Sequence, residues 1–236
     1  KELFAGSKRW AEAMQKDDWE VDTLELLDGE DILDDELFMD TAEKIAGGHY
    51  GAVQAGVSCT TRSLARRPRL VLREAPLGLP GLRPKDQATL AKANEIYSRN
   101  TVLLSLALLV GCLVSVENPL HGYFWWHPHI ADLLVRHILV LYGMHYCQWG
   151  DPWLKPTGIG SNVERANELC RRCRGGHQHV VLKGSLTSQA SAYPSQLVKA
   201  WARIWTEVYA DLQAQAAQPA PPTRGAPLDA LRKLHF

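Results

Sequence analysis

Polar and apolar positions alternate with period two from Glu20 to Leu26, and this spacing predicts a strand. From Asp34 to Ala46 the spacing becomes helical, with Leu37, Phe38, Ala42 and Ile45 on one face and acids near the N-terminus, where the helix dipole favours them. Ahead of these, a first strand ends at Phe4 and Trp10 to Gln15 reads as a helix. Tyr50 to Ala55 predicts a short strand, and Arg62 to Pro84, rich in Pro, Gly and Arg, a long loop. Asp86 to Leu109 predicts a long helix with Asp86 near its start, and Leu113 to Val116 a strand ending at Glu117. The rest reads as a helix at His129 to Tyr142, a strand at His145 to Gln148, a loop at Gly150 to Asn162, a strand at Val180 to Lys183 and a helix at Ser195 to Gln213. Ala214 to Pro227 is rich in Ala, Pro and Gln and predicts a disordered tail. Strands alternating with helices imply an α/β domain over residues 1–213, built on a doubly wound, mainly parallel sheet, with a tail at 214–236.

The 236 residues suffice for one sizeable domain, and 46% hydrophobic content with eight Trp supports a real core. Formal net charge is zero, so the overall balance announces no polyanion partner. The distribution is uneven. Asp17 to Glu43 is rich in carboxylates, whereas Arg62, Arg66, Arg67, Arg69 and Arg73 crowd one stretch. Such a stretch either meets phosphate or is a solvated charged loop. The apolar run Val102 to Val116 is too short to span a bilayer and contains Ser105, Gly111 and Ser115, so no membrane partner is expected. Five Cys, an odd number, with no secretory signal point to free thiols in an intracellular setting, nuclear or cytoplasmic. The chain opens at Lys1 inside what reads as a strand, as a domain cut from a longer protein would.

Ligands of doubly wound sheets bind beyond the carboxyl ends of the strands, and three segments fall there. Phe4-Ala5-Gly6-Ser7 is a strand-to-helix turn in which Gly6 lets the backbone approach a ligand; read alone it is equally an ordinary turn. Cys59 follows the third strand and Glu117 ends the fourth. Singly, the one reads as a small buried hydrophobe and the other as a loop carboxylate. Glu25, at the end of the second strand, is placed to bind ribose hydroxyls or is one acid among many on a solvated face. Farther on, Cys170 and Cys173 precede His177 and His179, a tetrahedral zinc ligand set or a free thiol pair beside a polar turn. A zinc ion there would tie the segment Val163 to Cys170 to the strand at Val180.

Taken in order, Leu3-Phe4-Ala5-Gly6, Gly56-Val57-Ser58-Cys59-Thr60 and Val116-Glu117-Asn118-Pro119 resemble the cofactor, nucleophile and acid loops of the cytosine-5 DNA methyltransferases. A fourth segment, Gly150-Asp151-Pro152-Trp153-Leu154-Lys155-Pro156-Thr157, resembles a degenerate form of that family's arginine-bearing loop. The pattern covers roughly Leu3 to Trp201 and is similar to methyltransferase-like domains of eukaryotic retroelement-type polyproteins. The resemblance implies a Rossmann-like methyltransferase fold, S-adenosylmethionine held by Phe4, Ala5, Gly6, Glu25 and Asp31, and a DNA partner. It implies Cys59 as nucleophile, Glu117 as acid, Asn118 as holder of the acid loop and Lys155 as a charge beside the target nucleotide. Arg62, Arg66, Arg67 and Lys155 would then touch the nucleic-acid backbone. Trp125 and Trp126 would be a stacking surface or part of the core. Lys8 and Arg9 stand where the family has glycines, Ser58 where it has Pro, and Pro119 where it has Val. These departures, and the little chain left after Thr157 for a target-recognition domain, leave open an inactive binding module of the same fold, or a methyltransferase acting on RNA or a small molecule.

Overall fold

The computed structural model describes residues 1–217. The strands are β1 (Glu2–Leu3), β2 (Thr23–Leu24), β3 (Ala52–Ala55), β4 (Leu113–Pro119), β5 (Val140–His145) and β6 (Pro156–Ser161). They form one six-stranded sheet in the order β2-β1-β3-β4-β6-β5. β2, β1, β3 and β4 pair in parallel, and β6 runs antiparallel to both of its neighbours. The chain leaves β1 toward β2 and leaves β3 in the opposite direction toward β4. The carboxyl ends of β1 and β3 therefore flank the point where the winding reverses, where such sheets open a ligand crevice.

Helices cover both faces. α1 (Arg9–Lys16) and α6 (Ser195–Ala216) pack on one, with Trp10, Met14, Leu197, Trp201 and Trp205 buried against Ala52, Leu113 and Ile159. α2 (Asp35–Ala46), α3 (Pro84–Leu109) and α4 (Pro128–Val135) pack on the other, with Ile45, Leu103, Leu104 and Ile130 against Leu24, Val53 and Val114. β3 is buried at every position, as expected of a parallel strand sandwiched between helix layers. A short helix, α5 (Ser185–Gln189), precedes α6. No helix among the described residues is long and apolar enough to cross a membrane; the Val102 to Val116 run is the end of α3 followed by β4.

Several expectations need correction. The strand predicted at Glu20 to Leu26 shrinks to β2, because Glu25 caps a 3-10 turn at Leu26–Asp28 by accepting the Leu27 N–H. The helix predicted over His129 to Tyr142 ends at Val135; His137 takes a left-handed backbone, and the apolar residues from Val140 enter β5. The strand predicted at His145 to Gln148 is a 3-10 turn, Tyr146–Trp149, and Val180 to Lys183 has no regular structure. β6 lies inside the predicted loop Gly150 to Asn162. Its glycines serve close packing, since a Cβ on Gly158 would meet Leu141 and Trp125 at 2.9 Å. α6 runs past Gln213 to Ala216, and residues 218–236 of the predicted tail lie outside the described residues.

His127, just ahead of α4, is buried, and neither ring nitrogen has a hydrogen-bond partner among the described residues. Burial, with Arg62 and His129 nearby, depresses its pKa to about 3. The unfolded chain then binds a proton that the folded chain refuses, so His127 withdraws stability as pH falls below the ordinary histidine range. His127→Phe removes this proton uptake. Melting temperatures of the variant and the parent, compared from about pH 7 down to about pH 4, will shift in the variant's favour.

Candidate active site

The loop after β3 is fixed at successive carbonyls. Asn118, buried at the end of β4, donates its side-chain N–H to the Val57 carbonyl at 2.8 Å. The Tyr97 hydroxyl of α3 donates to the Ser58 carbonyl at 2.7 Å, and the Arg62 backbone N–H to the Cys59 carbonyl at 3.0 Å. Gly56 allows the tight start: a Cβ there would meet the Tyr193 hydroxyl at 2.7 Å and the Phe4 carbonyl at 3.1 Å. Cys59 is thereby held, partly buried, on the wall of a cleft of about 1000 Å³. Asn118 braces the loop that carries Cys59, whereas the resemblance had it holding the acid's own loop. Asn118→Ala will free the Val57 carbonyl and broaden the pH profile of Cys59 alkylation, measured by mass spectrometry, with little change in the melting of the β-sheet core.

Glu117 and Lys155 line the same cleft. Antiparallel pairing of β4 with β6, Glu117 opposite Ile159 and Pro119 opposite Thr157, carries Lys155 to the carboxyl end of β4. Lys155 Nζ lies 3.8 Å from Glu117 Oε1 and donates to the Ala190 carbonyl at 3.0 Å. It also sits over the ring of Tyr146, 4.5 Å from the centroid. Burial pushes the Glu117 carboxyl up, while Lys155 and the Tyr146 hydroxyl act in the opposite sense. Burial also pushes the Cys59 thiol up, reinforced by Glu117 and opposed by Lys155. Sequence reasoning missed Tyr146 and the segment from Leu182 to Ser191 that supplies one wall. Neither bears a motif: the β5–β6 hairpin sets the buried Tyr146 beneath Lys155, and the turn before α6 brings Leu182 to Ser191 to the cleft.

Of the residues expected at the cofactor loop, Gly6 and Glu25 meet directly. Phe4 follows β1 with a left-handed backbone, Ala5 is buried, and the Gly6 N–H donates to Glu25 at 2.7 Å. Lys8 pairs with Asp28 at 2.7 Å across the mouth of this loop. Asp31 accepts the Leu33 N–H and lies 3.4 Å from Lys92. None of these residues lines the cleft that holds Cys59.

The arginines divide. Arg62 is fully buried, so the phosphate contact expected of it is corrected: its guanidinium donates to the Pro76 carbonyl and to Asn94, and lies over Tyr97. Arg66 pairs with Asp86 at 3.3 Å. Arg67 is exposed at the cleft rim and donates only to nearby backbone carbonyls. Trp125 is buried and donates to the Pro119 carbonyl, whereas Trp126 is exposed beneath Arg73, 3.9 Å from the ring centroid.

No protein-family model and no curated protein sequence matches this chain. Its own residues must carry the functional argument.

Away from the cleft, Cys147, Cys173, His177 and His179 present ligand atoms that all lie within 4.8 Å of one another. The ligand set expected from sequence is corrected in one member. Cys170 is exposed and stands outside the cluster. The chain at Arg171 pairs with the end of β5, its carbonyl accepting the His145 N–H, and this turns the Cys170 thiol toward the backbone of Gly143. Cys147, on the turn after β5, takes its place.

Proposed function

We propose that the chain is an S-adenosylmethionine-dependent methyltransferase domain of the DNA cytosine-5 kind. One observation carries the reading: Cys59 and Glu117, from the ends of two different strands, face one cleft. A cytosine in that cleft would be attacked at carbon 6 by the Cys59 thiolate. Glu117 would give its proton to ring nitrogen 3 as negative charge develops there. The electrostatics suit the pair. Proton transfer from Cys59 to Glu117 leaves a thiolate with no carboxylate repelling it and with the Lys155 ammonium still in place. The acid is then in the protonated form that its burial favours. Both operations make carbon 5 nucleophilic. A duplex substrate must flip its base to reach Cys59, and Arg67 at the rim is the arginine placed to meet a phosphate.

The donor set beyond β1 and β2 fits the nucleoside end of the cofactor. Glu25 and Asp31 supply carboxylates with lone pairs left for ribose and adenine groups, and Phe4 supplies a ring. Bound there, S-adenosylmethionine supplies an electrophilic methyl group. Calorimetric titration with S-adenosylmethionine, followed by incubation with cofactor and duplex DNA containing 5-fluorocytosine, tests the reading. A covalent adduct that is lost on Cys59→Ser supports it. Absence of cofactor binding sinks it.

A specific observation favours a second reading, a binding module without methyl transfer. The Gly6 N–H is already taken by Glu25, and Lys8 with Asp28 occupies the loop where the family has glycine backbone. DNA binding that neither needs nor responds to S-adenosylmethionine would select it.

A further inference from the structure

We infer that Cys147, Cys173, His177 and His179 form a structural zinc site that staples the segment 170–183 to the β5–β6 hairpin. Tetrahedral zinc with thiolate and imidazole ligands places sulfur and nitrogen about 3.5–3.6 Å apart. Cys173 Sγ lies 3.8 Å from His177 Nε2 and 3.5 Å from His179 Nε2. These two separations stand close to the spacing an ion imposes, and all four ligand atoms lie within 4.8 Å of one another.

The local chain is shaped for this convergence. Gly175 and Gly176 both adopt left-handed backbone, with φ of +83° and +85°, and turn the chain so that two histidines come back to Cys173. The Gly175 N–H donates to Cys173 Sγ at 3.4 Å, an arrangement that favours a thiolate there. The Cys173 N–H donates to His145 Nδ1 at 3.0 Å, which fixes the backbone of this ligand to the end of β5. Cys147 enters from the 3-10 turn that follows the same strand.

The segment needs such a staple. It contains no helix or strand between Cys170 and Lys183, and Val180 and Val181 are exposed, so no core holds it down. Irregular stretches of this length are uncommon in a packed domain unless something else orders them. Two thiolates with two neutral imidazoles cancel the charge of a divalent ion, which suits a stretch already carrying Arg171, Arg172 and Arg174. Two sulfur and two nitrogen donors in a tetrahedron select zinc over magnesium or calcium. Binding would release the two thiol protons.

Position gives the site a consequence. Leu182, Thr187, Ser188 and Ala190 wall the cleft, and the Ala190 carbonyl accepts from Lys155. The ion would fix the chain that enters this wall. The inference does not rest on methyl transfer, and its test does not measure it.

The chain purified under reducing conditions, without a histidine tag, is assayed for metal by elemental mass spectrometry and then exchanged with cobalt(II). The expected result is one equivalent of zinc and, after exchange, the visible absorption of tetrahedral cobalt with thiolate charge-transfer bands. Cys147→Ser will weaken these bands and lower the metal content, and Cys170→Ser will leave both unchanged. Because a ligand variant can fail to fold, the parent protein is also stripped with a chelator and digested with trypsin. Cleavage will move to Arg171–Lys183 while circular dichroism of the helices persists. Loss of metal in Cys170→Ser with retention in Cys147→Ser overturns the ligand set. A metal-free protein overturns the site, whether its thiols are free or joined as a Cys147–Cys173 disulfide.

Discussion

Under the proposed mechanism Glu117→Gln will lower methyl transfer to cytosine by about 10²–10³-fold and will, at the same time, make Cys59 alkylate faster at neutral pH. The two effects have one origin. The amide keeps the shape of the side chain but has no acidic proton to give to ring nitrogen 3. It also removes the carboxylate that, with burial, pushes the Cys59 thiol up, while the Lys155 ammonium that draws it down stays 3.8 Å from the substituted group. Lys155→Met will move alkylation the other way. Because Glu117 must carry its proton to act in the proposed cycle, and burial raises its pKa, the rate of that cycle should fall as pH rises through the elevated value. A steady-state pH profile, with iodoacetamide labelling of Cys59 followed by mass spectrometry, reads both effects. A purely structural role for Glu117 would slow alkylation and catalysis together, and that outcome would discard the proton-sharing account.

Arg62→Ala will destabilise the domain by about 3–5 kcal/mol, among the largest single effects available in this chain. The side chain is fully buried. It donates to the Pro76 carbonyl and, at 2.5 Å, to Asn94 Oδ1 on α3, and its guanidinium lies 4.8 Å from the Tyr97 ring centroid. Truncation leaves a cavity the size of most of an arginine and strands two acceptors. Lysine will not rescue it, because a single ammonium cannot reproduce a planar fork that reaches two partners. Arg67→Ala, at the exposed rim, should change stability by no more than about 0.5 kcal/mol. Chemical denaturation of the three variants decides. If Arg62→Ala unfolds like the parent while DNA affinity drops, the arginine belongs to a nucleic-acid surface after all.

The contrast shows what a sequence of this kind reveals. α3 was legible almost to its ends, because a long run without Gly or Pro, opened by Pro84 and closed by Gly111, leaves few alternatives. The placement of Cys59 and Glu117 was legible for a related reason: a parallel sheet puts its chemistry at strand ends, and both residues follow apolar runs. β5 and β6 were not. Val140 to Tyr142 is apolar in a way that serves helix or strand equally, and Pro-Thr-Gly-Ile-Gly-Ser has little strand propensity of its own. Its strand state comes from pairing on both sides and from glycines that let Trp125 and Leu141 approach. Arg62 looked like a surface charge because its partners, Pro76 and Asn94, are distant in sequence. Cys170 looked like a ligand because it is near Cys173 in sequence, but the His145 N–H bonded to the Arg171 carbonyl holds the chain so that its thiol faces away.

The reversal of β6 has a consequence for how such a domain can diversify. Since β5 ends and β6 begins on the cleft side, the connection from Tyr146 to Lys155 is anchored at both stems by the sheet and brings Leu154 to the cleft wall. The exposed Pro152 and Leu154 can be exchanged there while the buried Tyr146 and Trp149, and Cys147 and Lys155, stay in place. A library confined to Pro152 and Leu154 should retain folding while its members differ in what the cleft binds.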